Sequence, residues 1–450
     1  MSFSAVSLHA ALQSSVPEGV TGFVVALSGG ADSTALLSAA AAEPRFRGLP
    51  LRAVHVDHGL QAAAAEFRAV CSRLCSHLGV PLELIEVEVR SAAGLSIEAA
   101  ARDARYAALA AEIRPGECLL TAHQREDQAE TFLLQALRGA GAKGLAAMPT
   151  SRCLGAGWHV RPLLDVPRSE LREFVELRFG DHIGQFRSTD PMNADLRFDR
   201  VYLRQMIWPA IEKRWPGAAI ALSRTARHMA EAQETLELAA AHDVARLRDG
   251  DALSVQGLRA LSHPERINAV RLWLSEAGVE APSTARLGEA LRQVFEAHED
   301  HQPAIVWGDK ALRRYRQRLF LTEAVPPRIE QAIRWTAALG STVALGADLG
   351  SLQWKEQRGG IAPEKLPVAV TVRRREGGET LKPAVYAKTQ TVQHLCQSLG
   401  VLPWMRDALP CVFAGDELIA VGDLWADARW CVAVDAPGLG IAWSNGPLMT

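Results

Sequence analysis

The sequence predicts an α/β protein: a parallel sheet covered by helices, then a mostly helical domain, then a small α+β domain. Three observations carry this expectation: apolar runs alternating with helical segments from residue 22 to about 150, alanine- and leucine-rich helical spacing from 216 to about 298, and short strands with glycine turns after Pro326–Pro327.

In the first region GFVVAL precedes DSTALLSAAAA, LRAVHV precedes AAAEFRAVCSRLCSHLG, LELIEVEV precedes IEAAARDARYAALAAEI, and ECLLTAH precedes EDQAETFLLQAL. Four strand–helix units in series call for a parallel sheet. Ligands of such sheets sit beyond the carboxyl ends of the strands, which makes Ser28 to Ser33, Asp57 to Gly59 and the residues from His123 onward the first site candidates. RPLLDVPRSELREFVEL and RSTDPMNADLRFDRVYLRQMIWPAIEKRWPG, rich in Arg and in turn formers, read as a helix, an irregular loop and a helix appended to this domain. ALSRTARHMAEAQETLELAAAHDVARL is helical in spacing, while HQPAIVW and RRYRQRLFLTE look like short strands. STVALG, VAVTVRRREGGETLK, the helix TVQHLCQSLG and PCVFAGDELIAVGDLW make up the last domain. The expected division is 1–215, 216–330 and 335–450.

A chain of 450 residues excludes a single small module. With 49 Lys and Arg against 51 Asp and Glu, the net charge of −2 gives no global pull toward nucleic acid or a membrane. A polyanionic partner must therefore be met by local patches, for which Arg187, Arg197, Arg200 and Arg204, then Arg313, Arg314, Arg316 and Arg318, then Arg373, Arg374 and Arg375 are the candidates. The seven cysteines are scattered, with no C-x-x-C spacing, so reduced thiols are expected. Neither a signal-peptide pattern nor an apolar run of membrane-spanning length is present, and a cytoplasmic protein without membrane association is expected.

Between the first strand and its helix stands Ser28-Gly29-Gly30-Ala31-Asp32-Ser33. Glycines let backbone amides approach a polyphosphate, the hydroxyls of Ser28 and Ser33 add donors, and the helix N-terminus adds partial positive charge. Asp32 inside such a cradle would repel a nucleotide unless a divalent cation lay between them, so Mg²⁺ is implied. Neither G-x-x-x-x-G-K-[ST] nor G-x-G-x-x-G occurs here. If the helix after the fourth strand begins early, His123, Asp127 and Glu130 share one face. Glu98, Arg102 and Arg105 share a face of the preceding helix, and Arg102 is favoured for neutralising a nucleotide phosphate or holding a substrate carboxylate. His55, Asp57 and His58 have metal-ligand chemistry, but with no third cluster to complete a sphere a role near the nucleotide is preferred. RGAGAKGLAAM offers Arg138 and Lys143 to phosphates or is a plain connection, and Trp404 with Arg406 reads as a structural corner.

SGGADS resembles the pyrophosphate-binding loop of the PP-loop ATP-pyrophosphatase superfamily, with its adenine-nucleotide α-hydrolase-like fold. HVDHGL, IEAAARDARY, TAHQREDQAETFLLQALRGAGAKGLAAM and GVLPWMRDALP extend the likeness, over nearly the whole chain, to the tRNA(Ile)-lysidine synthase family. The resemblance implies ATP-dependent attachment of free L-lysine to C2 of the wobble cytidine in the CAU anticodon of tRNA(Ile), through an adenylated cytidine, giving lysidine, AMP and pyrophosphate. It implies that Ser28, Gly29, Gly30, Ala31, Asp32 and Ser33, with His55 and His123, bind the nucleotide. Asp32, Arg102 and Asp127 are the expected catalytic residues, Asp32 reaching Mg²⁺ through the nucleotide, and Asp127, Glu130, Arg138 and Arg204 are expected to meet lysine or tRNA. Tyr202-Leu203-Arg204-Gln205-Met206-Ile207-Trp208-Pro209 is about one helical turn shorter than the family's usual segment and has Gln205 where asparagine is usual. Other readings are a tRNA cytidine thiolase, for which Cys71 and Cys75 are expected on a helix far from the loop, and a nucleotide- or RNA-binding module without catalysis. The oligomeric state stays open, with a homodimer entertained.

Overall fold

In the computed structural model, which describes residues 2–43, 48–57, 64–88, 97–188, 195–297, 303–346, 348–385 and 387–446, the four strand–helix units follow one another as the sequence predicts. After α1 (Ala5–Ser15) come β1 (Gly22–Ala26), α2 (Ala31–Ala42), β2 (Leu51–Asp57), α3 (Ala64–Leu78), β3 (Leu82–Glu86), α4 (Ile97–Glu112), β4 (Glu117–Leu120) and α5 (Arg125–Leu137). β1 pairs in parallel with both β2 and β4, and β2 with β3, giving the order β3-β2-β1-β4. The chain thus builds outward from β1 to β3, then returns to place β4 on the other side of β1. The crevice between the ends of β1 and β4 is the switch point at which ligands of open α/β sheets bind.

Alternation along the strands covers both faces. Phe23, Val25, Ala53, Cys118 and Leu120 join one core with Leu36 of α2 and Leu74 of α3, while Val24, Val54 and Leu119 join a second core with Leu109 and Ile113. After the short helix α6 (Ala142–Leu145), β5 (Ser151–Leu154) and β6 (Gly157–Val160) form a hairpin that sequence patterning did not foresee, with β6 parallel to β4. Two four-residue strands are too short to show a period, and their glycines carry the signal instead. A Cβ on Gly155 would stand 2.2 Å from the Ala110 carbonyl, and one on Gly157 2.2 Å from that of Glu117. α7 (Arg168–Phe179) then packs Leu171, Val175 and Phe179 into the first core.

The sheet's opposite end is pinned by charge. Arg52, 7% exposed, bonds both carboxylate oxygens of Glu117 at 3.0 and 2.6 Å, Glu83 at 2.5 Å and the Glu112 carbonyl at 2.9 Å.

The structure divides into two units, Met1–Leu236 and Glu237–Thr450. In the second, helices His263–Glu276 and Thr284–Glu296 share a core with strands that include Ala252–Ser254, Lys310–Tyr315 and Arg318–Glu323. Later strands form a five-stranded sheet from Ile333–Thr336 to Trp425–Ala426 and a three-stranded sheet of Thr342–Gly346, Gly350–Arg358 and Pro437–Ser444. Trp335 and Trp354, one from each sheet, stack at 4.6 Å and 15°. No helix among the described residues is long and apolar enough to cross a membrane.

Replacing Arg52 by Met leaves Glu117 buried without its counter-charge, which costs about 3–5 kcal/mol and should appear as a large fall in the first unit's unfolding temperature. Burial opposes ionisation of Glu117, but its bonds from Arg52 and Arg114 hold its pKa below the usual value. Its stabilisation is therefore present above the ordinary carboxylate range and is lost as pH falls through the depressed value, and the variant should lack that acid-dependent loss.

Candidate active site

The loop leaving β1 is built to hold something against its backbone. Gly29 has φ +80°, and a Cβ there would stand 3.2 Å from Cδ1 of Phe67 and 3.5 Å from Sγ of Cys71. Its carbonyl accepts from the Ser188 amide at 2.9 Å. Gly30 caps α2 without any side-chain bond to the first turn, so the helix's leading amides are left for a ligand. A Cβ on Gly30 would meet only Ser28 Oγ, at 3.5 Å. The Ser28 and Ser33 hydroxyls are 3.1 Å apart, and Ser33 Oγ donates to the Gly30 carbonyl at 3.0 Å, closing the loop on itself.

His55, 6% exposed, donates from Nδ1 to the Leu27 carbonyl at 2.8 Å, which makes it a buttress beneath the loop. Asp57 is paired with Arg68 at 3.3 Å, and His58 and Gly59 lie outside the described residues. Among the described residues no group of three or more His, Cys, Asp and Glu could hold a metal ion. Cys71 was expected far from the loop, but α3 packs it directly underneath, with Sγ 3.5 Å from His55 Nδ1. Burial pushes its thiol up to about 12 and that of Cys75 to about 11, so these are packing groups. All seven cysteines are free.

Asp32 sits in the first turn of α2. Burial, then the neighbouring Asp127, lifts its pKa to about 6 against the pull of Arg168, Arg172 and Arg204.

α5 begins later than the shared-face reading required. Gln124 is its N-cap: its side chain accepts from the Glu126 and Asp127 amides, and Asp127 accepts back from the Gln124 amide at 3.2 Å. His123 therefore precedes the cap and is not on a helical face with Asp127 and Glu130, which are i and i+3. Its Nδ1 instead meets Thr121 Oγ1 at 2.8 Å.

Asp127 and Glu130 were expected to face an ammonium; here they face three guanidinium groups. Asp127 Oδ1 is 3.5, 3.4 and 3.1 Å from Arg168, Arg200 and Arg204. Glu130, 1% exposed, is 3.4, 3.1 and 2.7 Å from the same three. Arg168 had no signal in the sequence beyond its place at the start of a helix. Arg200 and Arg204 are brought in by helix Asp199–Tyr202 and the π-helical turn Leu203–Ile207.

The guanidinium carbons of Arg102, Arg105 and Arg152 stand 5.3, 5.5 and 5.3 Å from the Tyr106 ring centre. The Glu98 side chain lies outside the described residues. Arg138 and Lys143 are exposed, Arg138 pairing with Asp199 at 3.3 Å.

The other two arginine clusters are largely spent inside the fold. Arg314, 4% exposed, donates to the Val294 and Ala297 carbonyls, Arg313 to Thr322 and Ala324, and Arg373 lies 3.9 Å over the Phe413 ring. Arg406, 8% exposed, donates to the Val401 carbonyl, and Trp404 meets Phe320 edge-on at 5.4 Å, as a structural corner would.

A glycine loop over an uncapped helix end, at the switch point of a parallel sheet, defines the first unit as a PP-loop domain, and residues 5–211 match the family described as PP-loop domain. Residues 253–320 match the TilS substrate binding domain and 370–443 the TilS substrate C-terminal domain. The tRNA(Ile)-lysidine synthase of Alkalilimnicola ehrlichii is 40% identical over 91% of both chains. That of Coxiella burnetii is 37% identical over 89% of this chain and 88% of its own, and that of Methylococcus capsulatus 36% over 93% and 95%. The chain belongs to the tRNA(Ile)-lysidine synthase family.

The two loop glycines should fail differently. Gly29→Ala forces a side chain into the left-handed region, at about 1–2 kcal/mol, and against Phe67, so unfolding temperature and pyrophosphate release should both fall. Gly30→Ala, at φ −84° and with only an ordinary contact to Ser28 Oγ, should unfold like the parent while its ATP affinity drops.

Proposed function

We propose that the chain ligates free L-lysine to C2 of the wobble cytidine in the CAU anticodon of tRNA(Ile), consuming ATP and releasing AMP and pyrophosphate. The observation that carries the reading is the phosphate cradle of residues 28–33 beside the buried Asp127–Glu130 pair, in a chain of this family. A cytosine C2 carbonyl is a poor electrophile with no leaving group. Its oxygen is therefore first adenylated, pyrophosphate leaving, and the lysine amine then adds at C2 as AMP departs. Such chemistry rests on positioning and on charge stabilisation.

In this reading the amides and hydroxyls of Ser28, Gly29, Gly30, Ala31 and Ser33 hold the departing pyrophosphate. Asp32 fits a Mg²⁺ ion carried on the nucleotide, being the sole acid of α2's first turn and held at a pKa of about 6 by burial and by the neighbouring Asp127. The ion supplies neutralisation of phosphate charge. His55 holds the loop from below, and His123 and Arg102 act beside the nucleotide. Asp127 and Glu130 take the lysine ammonium in exchange for part of their present arginine pairing, while Arg138 and Arg204 are assigned to the tRNA. Residues 1–215 are the proposed catalytic domain, with 216–330 and 335–450 holding the tRNA, in a cytoplasmic enzyme that acts as a monomer or homodimer. The thiolase alternative is weakened by burial of Cys71 and Cys75.

Incubation with ATP, labelled lysine and a CAU-bearing isoleucine tRNA transcript should transfer label to the tRNA and release pyrophosphate. Absence of both would overturn the reading. Because Asp32 is protonated below a pKa of about 6, affinity for ATP with Mg²⁺ should rise between pH 5 and 7. In Asp32→Asn that rise should vanish, along with nearly all activity.

A further inference from the structure

Beside the cradle runs a hydrogen-bonded chain whose direction is set by its far end. Arg152 Nε donates to His159 Nδ1 at 3.3 Å, and Arg161 Nη2 stands 3.3 Å from the same nitrogen. A guanidinium has donors and no acceptor, so Nδ1 of His159 must be the lone-pair nitrogen. Burial, followed by Arg161 and Arg152, pushes His159 down to about 2, and the neutral ring carries its one proton on Nε2. Nε2 lies 2.9 Å from Thr121 Oγ1, which therefore accepts. The single hydrogen of the Thr121 hydroxyl is left for His123 Nδ1 at 2.8 Å. Thr121 is 6% exposed and His159 0%, so water does not compete along this path.

His123 closes the argument. Burial, with Arg161, Arg200, Arg105 and Arg102 around it, holds its pKa well below the ordinary histidine value, so its ring is neutral. With Nδ1 accepting from Thr121, its proton is on Nε2. The hairpin of β5 and β6 supplies His159, Arg152 and, at its end, Arg161, which gives this sheet extension a task at the site.

We infer that Thr121 and His159 are positioning residues that fix His123 as its Nε2–H tautomer, so that His123 meets the reacting groups as a hydrogen-bond donor to an anionic oxygen and not as a base. The inference rests on the reading that His123 lies beside the nucleotide and lysine. His123 stands three residues after the end of β4, the neighbour of β1, and one residue before the cap of the helix bearing Asp127. A general base for the amine is then to be sought among the carboxylates.

The test is nitrogen NMR of the full-length protein carrying ring-¹⁵N histidine, with His123 assigned by its loss in His123→Gln. The parent should show a protonated Nε2 and a bare Nδ1 at His123. Thr121→Val removes the hydroxyl at nearly constant volume and should release the tautomer preference, while Thr121→Ser should restore it. His159→Gln, whose amide accepts from the arginines and donates to Thr121, should keep the preference, and His159→Leu should lose it. These two serve if the valine variant does not fold. kcat for lysine transfer should fall roughly 10- to 100-fold in the variants that lose the tautomer, as when the outer partner of a functional histidine is removed, with the KM for ATP little changed. A protonated Nδ1 in the parent, or an unchanged His123 signal in both Thr121→Val and His159→Leu, would overturn the inference. Loss of the tautomer with kcat unaltered would leave the chain standing and overturn the placement of His123 at the reacting groups.

Discussion

Two carboxylates one turn apart on α5, holding three arginines from later in the chain, organise the mouth of the sheet. Glu130 is almost fully buried, and a buried carboxylate is tolerable only when its charge is matched and its lone pairs are bonded. Arg168, Arg200 and Arg204 meet that demand. In doing so they draw the start of α7 and residues 199–207 onto α5. The same charges reach the phosphate cradle, where Asp127 raises the pKa of Asp32 while Arg168 and Arg204 lower it. Phosphate loop, acid pair and arginines are thus one electrostatic unit, with one more positive than negative charge around the acid pair.

This arrangement explains how a chain with nearly equal numbers of acids and bases can serve a polyanionic substrate. Most arginines of the three clusters are bonded within the fold. Arg313, Arg314 and Arg373 are spent on carbonyls, a hydroxyl and an aromatic ring within the second unit, and Arg200 and Arg204 on acids of the first. The patches that the sequence offers as one tRNA surface are therefore mostly structural. The exposed cations Arg102, Arg138 and Lys143 stand on the first unit. Residues 202–209 contain the π-helical turn Leu203–Ile207, and Arg204 lies within it. Arg200, just before this turn, and Arg204, inside it, meet the same acid pair.

Local chemistry was legible, and long-range placement was not. The four strand–helix units and the SGGADS loop were readable because apolar alternation and glycine chemistry are properties of neighbouring residues. The β5–β6 hairpin escaped because each strand has four residues. The position of His123 escaped because glutamine is an uncommon N-cap, and the capping box of Gln124 with Asp127 starts the helix two residues after the histidine. Cys71 appeared remote because nothing in a helical segment tells which face packs under a loop more than 40 residues earlier; it lies against Gly29. Arg168 escaped for the same reason, being tied to acids about 40 positions away.

The claim that the acid pair and its arginines act as one unit is tested most directly by a double-mutant cycle on Glu130→Gln and Arg204→Gln, read as kcat/KM for lysine transfer. Direct contact at 2.7 Å predicts strong non-additivity, the double variant falling short of the product of the single losses by a coupling of about 0.5–3 kcal/mol. Losses that simply multiply, within about 0.5 kcal/mol, would contradict the account and leave the two residues with independent roles.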